Sequence, residues 1–399
     1  MTSQDAAVLR WDPYDVDIAT DPYPVYRRLR EEKPLYYNET HDFHAVSRFA
    51  DCERGLADWR TFSSHKGDIL ELIKSGMEIP PGSLIFEDPP MHDIRRKLLM
   101  RIFTQRRIAA LEPKIRDFTH RVLEPLVGKE RFDLVGEVAN QVPMRVIGML
   151  MGIPESEQEA VRDSADESLR TEAGAGMDFR GGAVLSNEIF TEYIDWRRGH
   201  PSDDVVTEML TAEFEDEHGE RRTLTPAEIL TYTTVVAGAG NETTGRLIGW
   251  MGSTFASHPA QRRDVVENPG LVPAAIEEIL RMEPPGGFIA RFVTTDVELH
   301  GETVPAGSTL LLLIAAANRD PRRFEDPDAF DVHRASGQRL TFGHGVHYCL
   351  GAALARLEGR IVTEEVLKRF PEWEVDWEHA KLAQTSTVRG WETLPLLVG

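Results

Sequence analysis

The chain has 399 residues, of which 41% are hydrophobic and 28% charged, and its formal net charge is −21 at pH 7. This composition is typical of a globular protein with a large core, and the excess of acid argues against nucleic acid as a partner. The longest apolar run, residues 310–317, is far shorter than the roughly 20 residues that span a bilayer. The two cysteines cannot build a disulfide framework. We therefore expect a soluble protein of a reducing compartment, the cytoplasm, that does not bind membranes.

The N-terminal part of the chain predicts a helix, a hairpin and a second helix. Residues 23–32 form the first helix, residues 35–37 and 43–46 flank a polar turn, and residues 49–58 form the second helix. Cys52 lies in that second helix with no other potential ligand beside it, so we interpret it as a core residue. Because no internal repeat or Gly/Ser linker interrupts the sequence, we expect residues 1–399 to form one domain.

A proline-rich stretch precedes a basic helix. Residues 63–90 contain two Pro-Pro pairs and predict a long irregular loop, which in a compact protein is usually functional or mobile. His92 and Arg96 follow on a predicted helix, four residues apart and on one face, so both can contact the same anion. A solvated basic face is the alternative. Further helices are expected over residues 111–132, 135–151, 155–172 and 183–198, the last two joined by a flexible link at residues 173–176.

The longest predicted helix runs from a cap at Thr225 to residue 258. Glu228 completes a capping box with Thr225. The middle of this helix, residues 237–245, combines three glycines with the polar pair Glu242-Thr243. Glycines inside a helix cost about 0.5–1 kcal/mol each relative to alanine, and a buried polar pair adds to that cost. Residues that disfavour a helix in the middle of a predicted helix are expected at functional sites. A helix kink with a surface glutamate is the alternative.

The next predicted helix carries Glu278 and Arg281, which lie three residues apart on one face and can pair. Two prolines at residues 284–285 end this helix, and residues 288–313 predict a strand-rich stretch. A terminal hairpin is expected around residues 386–390.

The loop at residues 342–351 contains three glycines, His347 and Cys349, and a helix-like run over residues 350–370 follows it. A cysteine just before a helix lies near unpaired N–H groups at the positive end of the helix dipole, and both favour the thiolate. The glycines let the backbone turn sharply and approach a flat partner closely. We interpret Cys349 as a metal ligand, with a buried structural cysteine as the alternative.

The order Phe-Gly-x-Gly-x-His-x-Cys-x-Gly in this loop resembles the haem-ligand loop of the cytochrome P-450 family, the haem-thiolate monooxygenases. Ala-Gly-x-Glu-Thr-Thr at residues 239–244 and Glu-x-x-Arg at residues 278–281 resemble further motifs of the family. The resemblance runs from residue 23 to the end of the chain and is strongest to the soluble bacterial members. It implies a mostly α-helical fold with a smaller β-rich part, in which a long central helix crosses over haem b.

The resemblance also implies a role for each site residue. Cys349 would be the axial ligand of the iron, and Thr243 and Glu242 would deliver protons to dioxygen. Glu278 and Arg281 would form a structural pair. The residues expected to contact the cofactor, the first four through its propionates, are His92, Arg96, Arg291, His347, Phe342, Gly343, Ala239 and Gly240. The residues expected to contact the substrate are Val235, Val236, Phe288, Ile289, Ala290 and Val388.

These expected substrate contacts are small or apolar, and an apolar cavity selects shape and hydrophobicity. We therefore expect one oxygen atom of O2 to enter a lipophilic, uncharged molecule such as a terpenoid, steroid or aromatic compound, by hydroxylation or epoxidation. Lys66, Lys74 or Glu71 would alter this expectation if one of them turned inward to bind a charged group.

Electrons are expected from separate ferredoxin and ferredoxin reductase proteins, because no flavin or nicotinamide module follows Gly399. The expected docking patch consists of Lys97, Arg101, Arg106 and Arg107. Two other functions stay open: a peroxide-driven peroxygenase, and a non-catalytic haem protein that senses gas or carries electrons. The Glu242-Thr243 pair favours the monooxygenase, because a gas sensor needs no proton relay and peroxide-driven relatives often lack the pair.

Overall fold

Helices form most of the regular structure in the computed structural model, which describes residues 9–79, 82–155, 158, 171–172, 174–177, 188–335, 337–383 and 385–399. In chain order the helices are α1 (Val16–Thr20), α2 (Tyr23–Glu32), α3 (Phe49–Ala57), α4 (Leu70–Ser75), α5 (Met91–Ile102), α6 (Gln105–Leu123), α7 (Val142–Met151), α8 (Glu188–Gly199), α9 (Val205–Thr211), α10 (Pro226–Ser257), α11 (Pro259–Glu267), α12 (Val272–Met282), α13 (Ile314–Ala317) and α14 (Ala352–Arg369). Within those ranges no helix combines the length and the apolar composition needed to cross a membrane.

The strands are short and form five small sheets in the described part of the chain. They are β1 (Leu35–Asn38), β2 (Phe43–Val46), β3 (Phe62–Ser63), β4 (Arg131–Asp133), β5 (Glu213–Glu215), β6 (Arg221–Thr223), β7 (Ile289–Val293), β8 (Val297–Leu299), β9 (Glu302–Val304), β10 (Thr309–Leu312), β11 (Glu374–Val375), β12 (Lys381–Leu382), β13 (Trp391–Thr393) and β14 (Pro395–Leu397). The largest sheet has the order β1-β2-β10-β7-β3, in which only β2 and β10 are parallel. Strand β4 pairs with β14, the pairs β11-β14, β5-β6, β8-β9 and β12-β13 complete the sheets, and all of these are antiparallel.

Helix α10 is the central element, and it is continuous over 32 residues. Its start is the predicted capping box, because Thr225 accepts from the Glu228 N–H and Glu228 accepts from the Thr225 N–H. The helix packs against α7, α12 and α14. Its glycines permit this close packing: a Cβ at Gly245 would lie 3.2 Å from the Ala139 carbonyl oxygen, and one at Gly240 would collide with Ile147.

Most predicted elements are present, and the differences have local causes. The helix expected over residues 111–132 begins earlier, at the Thr104 cap, and ends at Leu123, so that Phe132 lies in strand β4. The helix expected over residues 135–151 is divided into a π-helical turn (Val135–Ala139) and α7. The irregular stretch of residues 63–90 contains α4 and a 3-10 turn, Leu84–Phe86. Most of the helix predicted over residues 155–172 and part of the link at residues 173–176 lie outside the described residues.

A buried ion pair joins α12 to the segment that leads into the cysteine loop. Glu278 and Arg281 are fully buried and share two hydrogen bonds of 2.8 Å. Arg334 donates a third hydrogen bond of 2.9 Å to Glu278, and Arg281 also donates to the Asn318 carbonyl. Burial alone would raise the pKa of Glu278, but the hydrogen bonds from the two arginines hold that pKa below its usual value. The pair predicted from sequence is therefore part of the structural core.

Candidate cofactor and catalytic site

The cysteine loop is a chain of tight turns directly before α14. Gly343 and Gly345 have positive φ angles of 73° and 71°, which side chains other than glycine rarely adopt. Gly345 also lies against α3, where an added Cβ would be 3.1 Å from the Leu56 carbonyl oxygen. The Cys349 N–H donates to the Phe342 carbonyl at 2.8 Å, which closes the loop. The glycines thus fix the position from which the cysteine side chain projects.

Cys349 is an exposed residue, although protein surrounds its thiol on most sides. Burial raises the pKa of this thiol, while the N–H groups of Gly351 and Ala352 and the guanidinium groups of Arg96 and Arg356 act in the opposite direction. The sequence predicted that the helix start would favour the thiolate. The helix N–H groups do have that effect, but burial outweighs it in the free thiol.

Four basic side chains from three separate segments converge near this loop. His92 and Arg96 lie on α5, Arg291 on β7 and His347 in the cysteine loop, and the rings of His92 and His347 are 4.5 Å apart between centroids. Burial, together with the positive charges of Arg291, His92 and Arg96, lowers the pKa of His347 to about 3. Burial also lowers the pKa values of His92 and Arg291. We call these four residues the basic cluster.

The basic cluster is only partly compensated: His92 Nδ1 contacts Asp93 at 3.0 Å, and the charges of Asp68 and Asp88 act on Arg291. The Nε2 atoms of His92 and His347 are buried and have no hydrogen-bond partner in the part of the chain that the structure describes. Arg291 donates to the carbonyl of its neighbour Ala290 at 2.9 Å, and no described carboxylate forms an ion pair with it. Buried polar groups without partners are unfavourable, so this arrangement fits a ligand that brings carboxylates. A flat porphyrin with two propionates and an iron beside Cys349 meets that requirement.

The central helix carries the expected acid and alcohol. The Thr243 hydroxyl donates to the Ala239 carbonyl at 2.8 Å, one turn earlier. Glu242 is buried and forms an ion pair with Arg246 at 2.8 Å. Arg246 also donates to the Trp391 carbonyl, which ties it to the C-terminal strands. Sequence reasoning missed Arg246, although its spacing of four residues from Glu242 on a helix was an available indication.

Three further residues expected to contact the cofactor, Ala239, Gly240 and Phe342, lie in different surroundings. Ala239 is exposed on the helix, one turn before Thr243. Gly240 instead faces Ile147 of α7, whose side chain would have to shift to admit a larger residue at this position. Phe342 is partly buried, with the Arg356 guanidinium 4.3 Å from its ring centroid.

The expected substrate contacts differ in burial and in the strand face on which they lie, and Phe288 and Val388 line one cavity together. Alternate residues of a strand face opposite sides, so Ile289 shares a face with Arg291, and Ala290 lies on the other. Ala290 is fully buried in a core that includes Trp11, and the Phe288 ring lies edge-on to Trp11 at 5.6 Å. Val388 is also buried. Ile289 lies on the strand face of Arg291 and, like Val235 and Val236 of α10, is only half-buried.

Comparisons with known proteins agree with this geometry. The family model for cytochrome P450 matches residues 185–389. The protein described as cytochrome P450 123 from Mycobacterium tuberculosis is 37% identical over 393 residues, covering 97% of this chain and 96% of that protein. The erythromycin C-12 hydroxylase of Saccharopolyspora erythraea is 35% identical over 384 residues, covering 93% of each. The solved structure of CYP109Q5 from Chondromyces apiculatus has a TM-score of 0.85 and 33% identity, covering 97% of this chain and 98% of that one.

The chain therefore belongs to the cytochrome P450 family. It is a haem-dependent monooxygenase of the bacterial type, which uses dioxygen and a redox partner and acts on small molecules.

Proposed function

We propose that this monooxygenase hydroxylates or epoxidises a lipophilic, uncharged small molecule, with haem b as cofactor and a ferredoxin-type protein as electron donor. The observation that carries the proposal is the basic cluster beside Cys349, in which the buried Nε2 atoms of His92 and His347 have no partner in the described chain. His92, Arg96, Arg291 and His347 would bind the two propionates by charge-assisted hydrogen bonds. Cys349 would ligate the iron, and ligation would displace the thiol proton despite the raised pKa of the free thiol.

When bound, the haem would supply the activation of dioxygen, which a thiolate ligand favours. The chain's own contribution on the other side would be proton delivery from the central helix. The Thr243 hydroxyl can accept a hydrogen bond while it donates to Ala239, and Glu242 can exchange protons with solvent when it separates from Arg246. We propose that Thr243 passes its own hydroxyl proton toward oxygen and takes a proton from Glu242 in its place.

The ligand role of Cys349 is tested by the spectrum of the reduced protein with carbon monoxide. The wild type is expected to show the red-shifted Soret band of thiolate ligation, and Cys349→His is expected to lose it. Cys52→Ala is the matched control, because Cys52 is buried beside the Val46 carbonyl and far from α14 in sequence. An unchanged band in Cys349→His would refute the assignment.

The proton route is tested by coupling between reducing equivalents and product. Thr243→Ala should still bind substrate and consume reducing equivalents, but it should release peroxide in place of product. Thr244→Ala is the control, since Thr244 is buried beside Thr243 on a different face of α10. The route is excluded if Thr243→Ala remains as tightly coupled as the control.

An uncharged substrate is supported by the surroundings of the charged residues that could have turned inward. Lys74 pairs with Asp42 at 2.8 Å, and Glu71 accepts from the Met177 N–H at 3.1 Å. Lys66 is exposed. Matched neutral and carboxylate analogues should be titrated while the haem spin state is followed, with tighter binding expected for the neutral series. Tighter binding of the carboxylates, lost in Lys66→Ala, would contradict the proposal.

We also propose that residues 1–399 act as one domain. Contacts far apart in sequence join its parts: the Tyr23 hydroxyl donates to the Met282 carbonyl at 2.7 Å, and the Leu134 N–H donates to the Leu394 carbonyl at 3.0 Å. A single calorimetric unfolding transition is expected, and two separable transitions would argue for two units.

A further inference from the structure

Three of the seven tryptophans form a row from the surface to the central helix. Trp377 is 53% exposed, Trp391 in β13 is half-buried, and Trp250 on α10 is only 5% exposed. The ring centroids of Trp377 and Trp391 are 5.8 Å apart, and those of Trp391 and Trp250 are 5.4 Å apart. Both separations are typical of aromatic rings in contact. We call these three residues the tryptophan row.

The inner end of the tryptophan row lies on the same face of α10 as Thr243. Trp250 follows Thr243 by nearly two full turns of this helix, so the two side chains project to the same side. With a rise of about 1.5 Å per residue, their backbones are about 10 Å apart along the helix axis. Helix α10 is continuous between them. Trp250 is therefore the member of the row that α10 connects directly to the candidate catalytic site.

The two inner rings are held in place by hydrogen bonds and packing. The Trp391 indole N–H donates to the Ser253 hydroxyl at 2.9 Å, and the Trp250 indole N–H donates to the Arg389 carbonyl at 3.1 Å. Trp391 also packs on α10 at Gly249, where an added Cβ would be 3.4 Å from Trp391 Cδ1. These contacts keep the rings at a fixed separation. A path for electrons needs this, because the rate of electron transfer falls steeply with distance.

The charges around the tryptophan row favour a positive charge at its outer end. The Arg389 guanidinium lies 4.5 Å from the centroid of the Trp250 ring. A cation opposes the removal of an electron from a neighbouring ring, although the pairing of Arg389 with Glu283 weakens this effect. Trp377 is instead exposed to water and follows directly before the exposed Glu378. A positive charge formed at Trp250 is therefore more favourable once it has moved to Trp377.

A second exposed tryptophan, Trp196 on α8, offers a comparison with Trp377. It is 45% exposed, and its ring contacts Tyr193 and His200. Among the described residues it contacts no other tryptophan ring. Reagents in solution therefore reach Trp196 about as readily as Trp377, but only Trp377 belongs to the row.

We propose that the tryptophan row carries electrons from Trp377 to the haem when hydrogen peroxide is reduced there without substrate, and that a phenol at the surface replaces those electrons. This inference rests on the proposed haem site. In each step Trp377 loses one electron to the row and its indole proton to water, and the tryptophan radical then takes a hydrogen atom from the phenol. Two steps convert one H2O2 and two phenols to two H2O and two phenoxyl radicals.

This activity is a peroxidase reaction at the C-terminal surface, and it differs from monooxygenation because no oxygen atom enters the product. The electron donor needs no access to the substrate cavity, since Trp377 is exposed. Glu374 and Glu378, which are near Trp377 in sequence, are exposed carboxylates. A phenol that carries a positive charge is therefore favoured as the donor.

The test treats the haem-loaded, substrate-free chain with hydrogen peroxide and tyramine, a phenol with a cationic amine. Oxidised tyramine couples to a fluorescent dimer, whose formation gives the rate. Trp391→Phe interrupts the row and Trp377→Phe removes its outer end, so both should lose most of this rate. Trp196→Phe is the matched control and should keep the wild-type rate. Trp391→Tyr should recover part of it, because a phenol side chain can be oxidised and a benzene ring of similar size cannot.

A second measurement does not depend on the donor. After treatment with peroxide alone, peptide mass spectrometry should show more oxidation at Trp377 than at Trp196 in the wild type. In Trp391→Phe the oxidation of Trp377 should fall to that of Trp196, because peroxide in solution attacks the two exposed rings alike. Oxidation of Trp377 that is unchanged in Trp391→Phe would show that no electrons pass through the row.

Equal rates of tyramine oxidation in the wild type and in both Phe variants would overturn the proposal, since tyramine would then react in the substrate cavity. A rate in Trp391→Tyr as low as in Trp391→Phe would assign the loss to altered packing and overturn it as well. The carbon monoxide band is recorded for every protein. Its absence in the wild type would refute the haem site and this inference with it, whereas a normal band with equal rates would refute this inference alone.

Discussion

Two buried groups of charged residues in this protein differ in whether the protein neutralises its own charges. In one, the carboxylate of Glu278 receives hydrogen bonds from Arg281 and Arg334, all of 2.8–2.9 Å. In the other, Arg291 and His347 lie close together, and the buried His347 Nε2 has no partner in the described chain. Both groups are conspicuous in the sequence, and both are removed from solvent.

The difference shows that pairing, and not burial, separates a structural charge from a binding site. A buried ion pair whose hydrogen bonds are complete holds elements together, and it becomes strongly unfavourable when one partner is removed. A buried cation without an internal anion is unfavourable until a ligand supplies one. The opposite consequences expected for substitution in the two groups allow the comparison to be tested.

The largest effect is expected from Arg281→Met. The substitution leaves the buried Glu278 with Arg334 as its charged partner and the Asp331 N–H as a further donor, and breaking a buried pair costs about 3–5 kcal/mol. We expect the free energy of unfolding, measured with urea, to fall by that amount with and without haem. The double variant Glu278→Gln/Arg281→Met should recover part of the loss, because it no longer leaves a buried carboxylate unpaired. A loss confined to the haem-loaded form would place this pair in the binding site after all.

The free energy of unfolding is expected to depend on pH through Glu228, whose buried carboxylate is paired within the protein like that of Glu278. Burial raises its pKa, but hydrogen bonds from Arg222 and Thr225 outweigh burial and lower the pKa to about 2 from the ordinary value of 4.5. A carboxyl with a depressed pKa in the folded state stabilises the protein above its unfolded pKa, and this stabilisation is lost as the pH falls from about 4.5 to about 2. Glu228→Gln should therefore lower the free energy of unfolding by up to about 3 kcal/mol at pH 7.

The measurement is urea unfolding of wild type and Glu228→Gln over a pH series. The difference between the two proteins should shrink below pH 4.5. Glu220→Gln is the control, because Glu220 is exposed on the neighbouring hairpin and should show no such trend. A difference that stays constant with pH would mean that the ionised form of Glu228 is not what stabilises the fold.

Arg291→Leu should have the opposite signature to Arg281→Met. Arg291 forms no ion pair with a described carboxylate, although the charges of Asp68 and Asp88 act on it, so its removal should destabilise the haem-free chain much less than Arg281→Met does. Haem affinity should fall by about 1.5–3 kcal/mol, or roughly 10- to 100-fold, because a charge-assisted hydrogen bond is lost. Urea unfolding of the haem-free chain and the rate of haem transfer to an acceptor protein measure the two quantities. Destabilisation of the haem-free chain as large as in Arg281→Met would remove the distinction between the groups.

The sequence predicted those features that depend on local patterns. The capping box of α10 needs only Thr225 and Glu228, and the turns of the cysteine loop need only its glycines, so both could be recognised from spacing. The three segments that bring His92, Arg291 and His347 together were expected from family resemblance and not from the spacing of these residues. Which residues share one face of a strand or a helix could also be predicted, because this follows from the repeat of the backbone.

The features that the sequence did not predict depend on contacts between distant segments. The raised pKa of Cys349 results from burial by the rest of the chain, which a helix-dipole argument does not include. The close contact of Gly240 with the Ile147 side chain depends on the packing of two helices. The position of Ala290 opposite Arg291 follows from strand alternation and could have been deduced, whereas its burial beside Trp11 depends on the N-terminal segment.

The smallest effect is expected on the surface, where the same comparison of paired and unpaired charges applies to the proposed electron donor. Arg101 and Arg106 are exposed at the end of α5 and the start of α6, and neither forms an ion pair with a described residue. Arg107 pairs with Asp203 at 3.1 Å and also with Glu208. Arg101 and Arg106 can therefore meet an acidic partner, while the charge of Arg107 is already neutralised.

Reversal of both exposed charges in Arg101→Glu/Arg106→Glu should slow electron transfer from a ferredoxin by roughly fivefold at low salt. The difference should vanish as salt increases, because exposed charges act mainly on association rate and are screened. Arg107→Gln is the matched control: it removes a paired arginine and should change stability slightly but leave the salt dependence of the rate as in wild type. The measurement is the stopped-flow reduction rate across a salt series. A rate for the double variant equal to that of the wild type at every salt concentration would show that Arg101 and Arg106 do not bind the electron donor. An unpaired charge would then indicate a binding site only where that charge is also buried.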